Sequence, residues 1–193
     1  MGAAAILSIN GVLRQASQHY LGSEEHHTVY EAELVGLILA ATLIQHTNFS
    51  EEVTIATDNQ AAIKAITNFR STPGQQLIDS FIAQMTELAN RRIGVPFKIY
   101  WIPGHKGIPG NEEVDKLAKQ AAKRLLNPSP NLRIILNSSL PSSYSARKMI
   151  QDKQCRKVLN TFFRKSPRQK INRRPHATPI EYLNPVTHGP CAA

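Results

Sequence analysis

The sequence predicts an α/β protein: a mixed sheet flanked by helices, followed by a basic appendage. Three observations predict it. Val53–Thr57 is a short run dominated by β-branched residues, reading as a largely buried strand, and it runs directly into Asp58 and a helical segment. Asn10-Gly11 sits between two strand-like runs, the pattern of a two-residue hairpin. Val29–Gln45 has the length and composition of a helix and is apolar on most sides, so it packs inside the protein, across a sheet.

In chain order, Ala3–Ile9 is the first strand-like run and Val12–Leu21 its return, with Gly22–His27 a polar connector to the apolar helix. After Asp58, Gln60–Phe69 is expected to form a short helix. Ser71-Thr72-Pro73 interrupts it, and Pro73 suits the opening of the next helix. That helix, Gln75–Arg92, carries Leu77, Ile78, Phe81, Ile82, Met85, Leu88 and Ala89 at helical spacing, an apolar stripe most simply read as core. Gly94-Val95-Pro96 closes it, and Phe97–Trp101 is another strand. Ile102–Asn111 holds five Gly and Pro residues in ten and reads as a loop of defined shape. Asn111 is expected to N-cap a last helix with Glu112 and Glu113 in its first turn and Val114, Leu117, Ala118, Ala121 and Leu125 as its buried stripe. Pro128-Ser129-Pro130 marks a boundary, giving a domain over 1–127 and a tail over 128–193. Within the tail, Leu132–Leu136 is a candidate strand, 146–165 a candidate basic helix, and the Pro-rich remainder is expected to be disordered.

The formal net charge of +9 is unevenly spread. Residues 1–130 hold 11 Lys and Arg against 12 Asp and Glu, whereas residues 131–193 hold 12 against 2. A basic tail fits nucleic acid or another polyanion, with a merely solvated tail as the alternative. Cys155 and Cys191 form no paired motif, so neither a zinc site nor a disulfide framework is expected, and a reducing compartment is. The chain has no apolar run of spanning length and its start lacks a basic leader, so an intracellular location is expected.

Four residues stand out as carriers of chemistry. Asp58 lies at the C-terminal end of a strand, where open α/β sheets place ligands, although the same residue could simply cap the next helix. Glu31 and Glu33 lie two apart on the apolar helix and so point to nearly opposite faces. Glu33 shares its face with Val29, Tyr30, Leu37, Ala40 and Ile44 and is expected to face the sheet. A buried glutamate needs a compensating cation. The alternative is that both acids are exposed and favoured by the helix dipole. His105 sits in the Gly/Pro loop ten residues before Asp115, which lies beside the stripe of the last helix.

Together these strings resemble ribonuclease H. Thr57–Ile63 (T-D-N-Q-A-A-I) is similar to the family's strand-end aspartate segment, Tyr30–Leu34 (Y-E-A-E-L) to its helical glutamate, and Trp101–Lys119 (W-I-P-G-H-K-G-I-P-G-N-E-E-V-D-K-L-A-K) to its histidine loop and final aspartate. The resemblance covers residues 2 to about 124 and is nearest to the ribonuclease H domain of non-LTR retrotransposon reverse transcriptases, fungal ones in particular; the basic tail resembles the segment that follows it there. It implies hydrolysis of the RNA strand of RNA·DNA hybrids with two Mg²⁺ ions, or Mn²⁺ in their place. Glu33, Asp58 and Asp115 would be metal ligands, and His105 would assist proton transfer or product release. Asn59, Gln60 and Asn111 would contact the hybrid's minor groove, where the RNA 2′-OH is read. The chain departs from the pattern at one place: the family's first strand and its aspartate are missing, since Met1 stands where that strand would end and no Asp precedes Asp58. Impaired cleavage by this chain is the expectation. The alternative function is a non-catalytic nucleic-acid-binding remnant of a retrotransposon polyprotein.

Overall fold

The structure, a computed structural model, describes residues 1–49, 51–67, 73–104, 106–123 and 142–165. It divides into two compact units, Met1–Ala146 and Arg147–Ala193.

The first unit opens with a hairpin, β1 (Gly2–Ile9) and β2 (Val12–Tyr20), paired antiparallel. Asn10 and Gly11 turn it with φ of 52° and 75°, the left-handed pair that a two-residue type I′ turn requires. A bulge between Leu7 and Ser8 shifts the register. Ala3, Ala4 and Ala5 are buried in succession, so both faces of β1 are covered. Ala3 and Ala5 join the core around helix α1 (Val29–Gln45). Gly2 faces α4 (Pro109–Ala122) so closely that a Cβ there would collide with the main chain at Ala118 and Ala122. Small residues on β1 are thus what lets two helices sandwich it.

Helix α1 keeps its expected bounds, and ten of its seventeen residues are buried. Its start is a capping box: Glu31 Oε2 accepts from the Thr28 main-chain N–H at 2.7 Å, and the Glu31 N–H donates to Thr28 Oγ1 at 3.2 Å. After it come β3 (Val53–Thr57), α2 (Gln60–Thr67), α3 (Gln75–Arg91) and β4 (Phe97–Trp101). Helix α3 packs on α1 through the predicted stripe, with Leu77, Ile78, Phe81 and Leu88 buried. Pro73 does not open α3: Gly74, left-handed at φ 77°, is its N-cap and Gln75 its first residue.

Strands β3 and β4 pair in parallel, Val53 opposite Phe97 through Thr57 opposite Trp101. Both ladder senses of a mixed α/β fold are therefore present, but as two separate pairs, with no ladder joining β1 to β3 among the described residues. On β3, Ile55 and Thr57 turn inward while Thr54 and Ala56 are exposed.

Two expectations about α4 need correction. It begins at Pro109, not after Asn111, because a proline's fixed φ suits the first helical position. Its stripe is mostly half-buried: Ala121 is buried, whereas Val114, Leu117 and Ala118 are partly exposed, since among the described elements α4 packs chiefly on β1 and β2.

The first unit closes with Ser142–Ala146. The Ser143 N–H donates to the His26 carbonyl at 2.8 Å, His26 Nδ1 lies 3.2 Å from Ser142 Oγ, and Ala146 is buried. Helix α5 spans Tyr144–Lys165, close to the expected 146–165. It carries seven Lys and Arg against Asp152 as its one acid, and most of it is exposed. The candidate strand Leu132–Leu136, the boundary at Pro128–Pro130 and the Pro-rich terminus lie outside the described residues.

Candidate active site

Asp58 follows β3 immediately, and three residues contact it. The Trp101 indole N–H, on the neighbouring strand, donates to the Asp58 carbonyl at 3.1 Å. The Asn111 amide donates to Asp58 Oδ2 at 3.4 Å. Gly104 lies against the carboxylate, where a Cβ would come within 2.7 Å of Oδ2. Parallel pairing makes the first contact possible, because the register sets Trp101 beside Thr57 and the Ile102 N–H continues the ladder to the Thr57 carbonyl at 2.9 Å.

Asp58 does not cap α2. Asn59 does so, its side-chain oxygen accepting from the Ala62 N–H at 3.0 Å. The Asp58 carboxylate is thereby left out of the cap, and it acts on Glu33.

Glu33 is half-buried in the second turn of α1. Its carboxyl is pushed up to about 7, first by burial, then by the Asp58 and Asp115 carboxylates. Each cause acts against the charged form. Glu31 is spent on the capping box, so the two acids of α1 divide between helix start and site as their opposite faces require. Asp115 comes from the second turn of α4 and is half-buried. Carboxylates from a strand end and from a second helix thus both act on Glu33, the latter across 82 residues of chain.

Other candidate positions divide. Asn111 lies at the site, with its amide turned to Asp58. Asn59 is next to it but engaged as the α2 cap. Gln60 is the exposed first residue of α2. His105 lies outside the described residues, between Gly104 and Lys106. Trp101 and Gly104 escaped the sequence reading as site residues. Their contact with Asp58 becomes visible only once the β3–β4 register is known.

The donor set is all carboxylate oxygen, the chemistry of Mg²⁺ or Mn²⁺. Among the described residues no cluster of three His, Cys, Asp or Glu side chains is placed to hold a metal ion. Mg²⁺ does not ask for one: it is habitually held by one or two carboxylates, its remaining positions filled by water and phosphate oxygens. Glu33, with the Asp58 and Asp115 carboxylates acting on it, offers oxygen donors for that use.

A hairpin, a parallel strand pair with an aspartate at its end, and helices that add two more acids define an α/β protein with a carboxylate centre. The ribonuclease H sequence profile matches residues 1–123, nearly two-thirds of the chain, and the chain belongs to that family. Among solved structures it is similar to RNase H1 from the halophilic archaeon Halobacterium salinarum NRC-1, at 19% identity over 64% of this chain and 96% of that one, with a TM-score of 0.46.

Proposed function

We propose that this chain hydrolyses the RNA strand of RNA·DNA hybrids, with Glu33, Asp58 and Asp115 holding two Mg²⁺ ions, for which Mn²⁺ can substitute. The action of the Asp58 and Asp115 carboxylates on Glu33 supports the reading most directly. When bound, a metal pair supplies an activated water and charge stabilisation for the departing 3′ oxygen. The chain's own residues supply the rest. Asp58, fixed by its strand end, gives the rigid ligand. Glu33 would hold the ion as its ionised carboxylate. His105 assists proton transfer or product release, and Asn59, Gln60 and Asn111 contact the hybrid's minor groove. Backbone and sugar contacts make such cleavage largely indifferent to sequence. No Asp precedes Asp58 in these 193 residues, so the fourth carboxylate that the family resemblance implies is not among them, and slow turnover by these residues is the proposal.

The test is digestion of an end-labelled RNA·DNA hybrid by the 193-residue protein with and without Mg²⁺. Slow, Mg²⁺-dependent cleavage that disappears in Asp58→Asn supports the proposal. Rapid turnover would show that a fourth carboxylate is dispensable.

Charge favours a second reading, binding without turnover, in a setting such as a retrotransposon polyprotein. Residues 131–193 carry 12 Lys and Arg against 2 acids. If they supply the affinity, deleting them weakens hybrid binding and flattens its dependence on salt, because fewer counterions are released. Binding without cleavage at any metal concentration would favour this reading over the first.

A further inference from the structure

We propose that Trp101 at the end of β4 and Gly104 just after it position the Asp58 carboxylate, Trp101 fixing its main chain and Gly104 limiting where Oδ2 can sit. The inference rests on the metal-binding reading above and assigns roles to two residues that touch no substrate in it.

The geometry separates the two roles. Trp101 donates its indole N–H to the Asp58 carbonyl at 3.1 Å, so it acts on the backbone that carries the carboxylate. Its ring is about half exposed, at 48%, so the bond stands where burial alone would not hold the side chain. Gly104 acts on the carboxylate itself. A Cβ at 104 would lie 2.7 Å from Oδ2, but 3.5 and 3.6 Å from Asp58 Cγ and Cβ, which are ordinary contacts. Only the terminal oxygen is in the way. Gly104 is not among the residues with positive φ, so alanine fits the backbone there. The substitution therefore acts through one clash, and the clash is relieved by rotating a side-chain end.

That relief is cheap for the fold and costly for a ligand. An ordinary Cβ–oxygen contact is about 3.4 Å or more, so Oδ2 must retreat by roughly 0.7 Å. Mg²⁺ demands near-octahedral geometry at about 2.0–2.1 Å, whereas Ca²⁺ accepts flexible geometry at about 2.3–2.6 Å. Displacing Asp58 should thus weaken Mg²⁺ far more than Ca²⁺. A simple loss of folded protein would weaken both alike.

Gly110→Ala is the control. It lies in the first turn of α4, and its Cβ would meet only Ile6 Cδ1, at 3.7 Å. The full chain and its variants would be titrated with Mg²⁺ and with Ca²⁺, following the side-chain carboxyl ¹³C shifts of Asp58 and Glu33, with thermal melting in parallel. Gly104→Ala is expected to weaken Mg²⁺ binding about 10-fold or more, the usual scale for a residue that orients a ligand. Ca²⁺ binding should fall less than 3-fold and melting should stay at the wild-type temperature. Gly110→Ala should change neither affinity. Trp101→Phe keeps the ring and removes the donor, and should also weaken Mg²⁺ more than Ca²⁺, which keeps the idea testable should Gly104→Ala fail to fold. Equal Mg²⁺ affinity in wild type, Gly104→Ala and Trp101→Phe would overturn the positioning role while leaving the metal reading intact. Wild-type protein whose Asp58 and Glu33 signals ignore Mg²⁺ would overturn both.

Discussion

Replacing Glu33 by glutamine tests the electrostatics of the site without any substrate. Glutamine has the shape of the protonated acid but cannot ionise. The Glu33 carboxyl moves from an ordinary 4.5 to about 7 in the folded protein, through burial and then through Asp58 and Asp115. Between those values the folded chain keeps a proton that the unfolded chain has released. Stability is thus fully present below about pH 4.5 and is lost as pH rises through about 7. A shift of that size corresponds to at most about 3 kcal/mol. His19 and His27 act oppositely: burial lowers their pKa values, so they favour the fold as pH rises toward the ordinary histidine value. Both histidines are common to the two proteins, and the difference between wild type and Glu33→Gln removes them. Urea unfolding with EDTA at pH 5, 6, 7 and 8 should show the pair nearly equal at pH 5, with the variant ahead by up to about 3 kcal/mol at pH 8. Adding Mg²⁺ at pH 8 should stabilise wild type more than the variant. A wild-type-minus-variant difference that stays flat from pH 5 to pH 8 would refute the placement of Glu33 beside two carboxylates.

Three substitutions away from the carboxylates check the scaffold, each by urea or thermal melting. Leu39 in α1 is fully buried, and Leu39→Ala should cost about 2–5 kcal/mol through lost contacts and a residual cavity. Asn59→Ala removes the α2 cap and should cost about 1 kcal/mol. Gln84 in α3 is 1% exposed and its Oε1 lacks a partner among the described residues, so Gln84→Met, which fills similar volume without the orphan acceptor, should be neutral or stabilising by about 1 kcal/mol.

Much of this fold was legible in the sequence because the informative signals were local. Asn10-Gly11 allows little but a tight turn, and the apolar composition of Val29–Gln45 allows little but burial. Choosing Glu33 over Glu31 as the inward acid needed only helical geometry, and the capping box shows why Glu31 was free to face elsewhere. What stayed hidden depends on pairing between distant segments. Trp101 and Gly104 reach Asp58 because β4 lies in parallel register with β3, and nothing within Phe97–Trp101 announces its partner. The same holds for Asn111: its type and spacing suit an N-cap, but Pro109 starts the helix two residues earlier and frees the amide for Asp58. Ser142–Ala146, docked on His26, likewise carries no local mark of its destination.

Burial of α1 and the chemistry of the site are the same physical fact. A helix apolar on most sides must sit inside, and Glu33 goes with it. Water would relieve that carboxyl, and a basic neighbour would offset it. The groups that act on it are instead Asp58 and Asp115, which add to the penalty. The penalty should therefore fall when one of them is neutralised. Asp58→Asn removes one repelling charge at nearly constant volume. It also weakens the bond from the Asn111 amide, but at 3.4 Å that bond is long and contributes little. In EDTA above pH 7 the variant should be more stable than wild type by about 1 kcal/mol, and the Glu33 carboxyl ¹³C titration should move to lower pH. The same substitution should abolish Mg²⁺-dependent cleavage, so stability and activity would move in opposite directions. A residue kept for its packing would lower both together, and that outcome for Asp58→Asn would remove the case for a cation-binding centre.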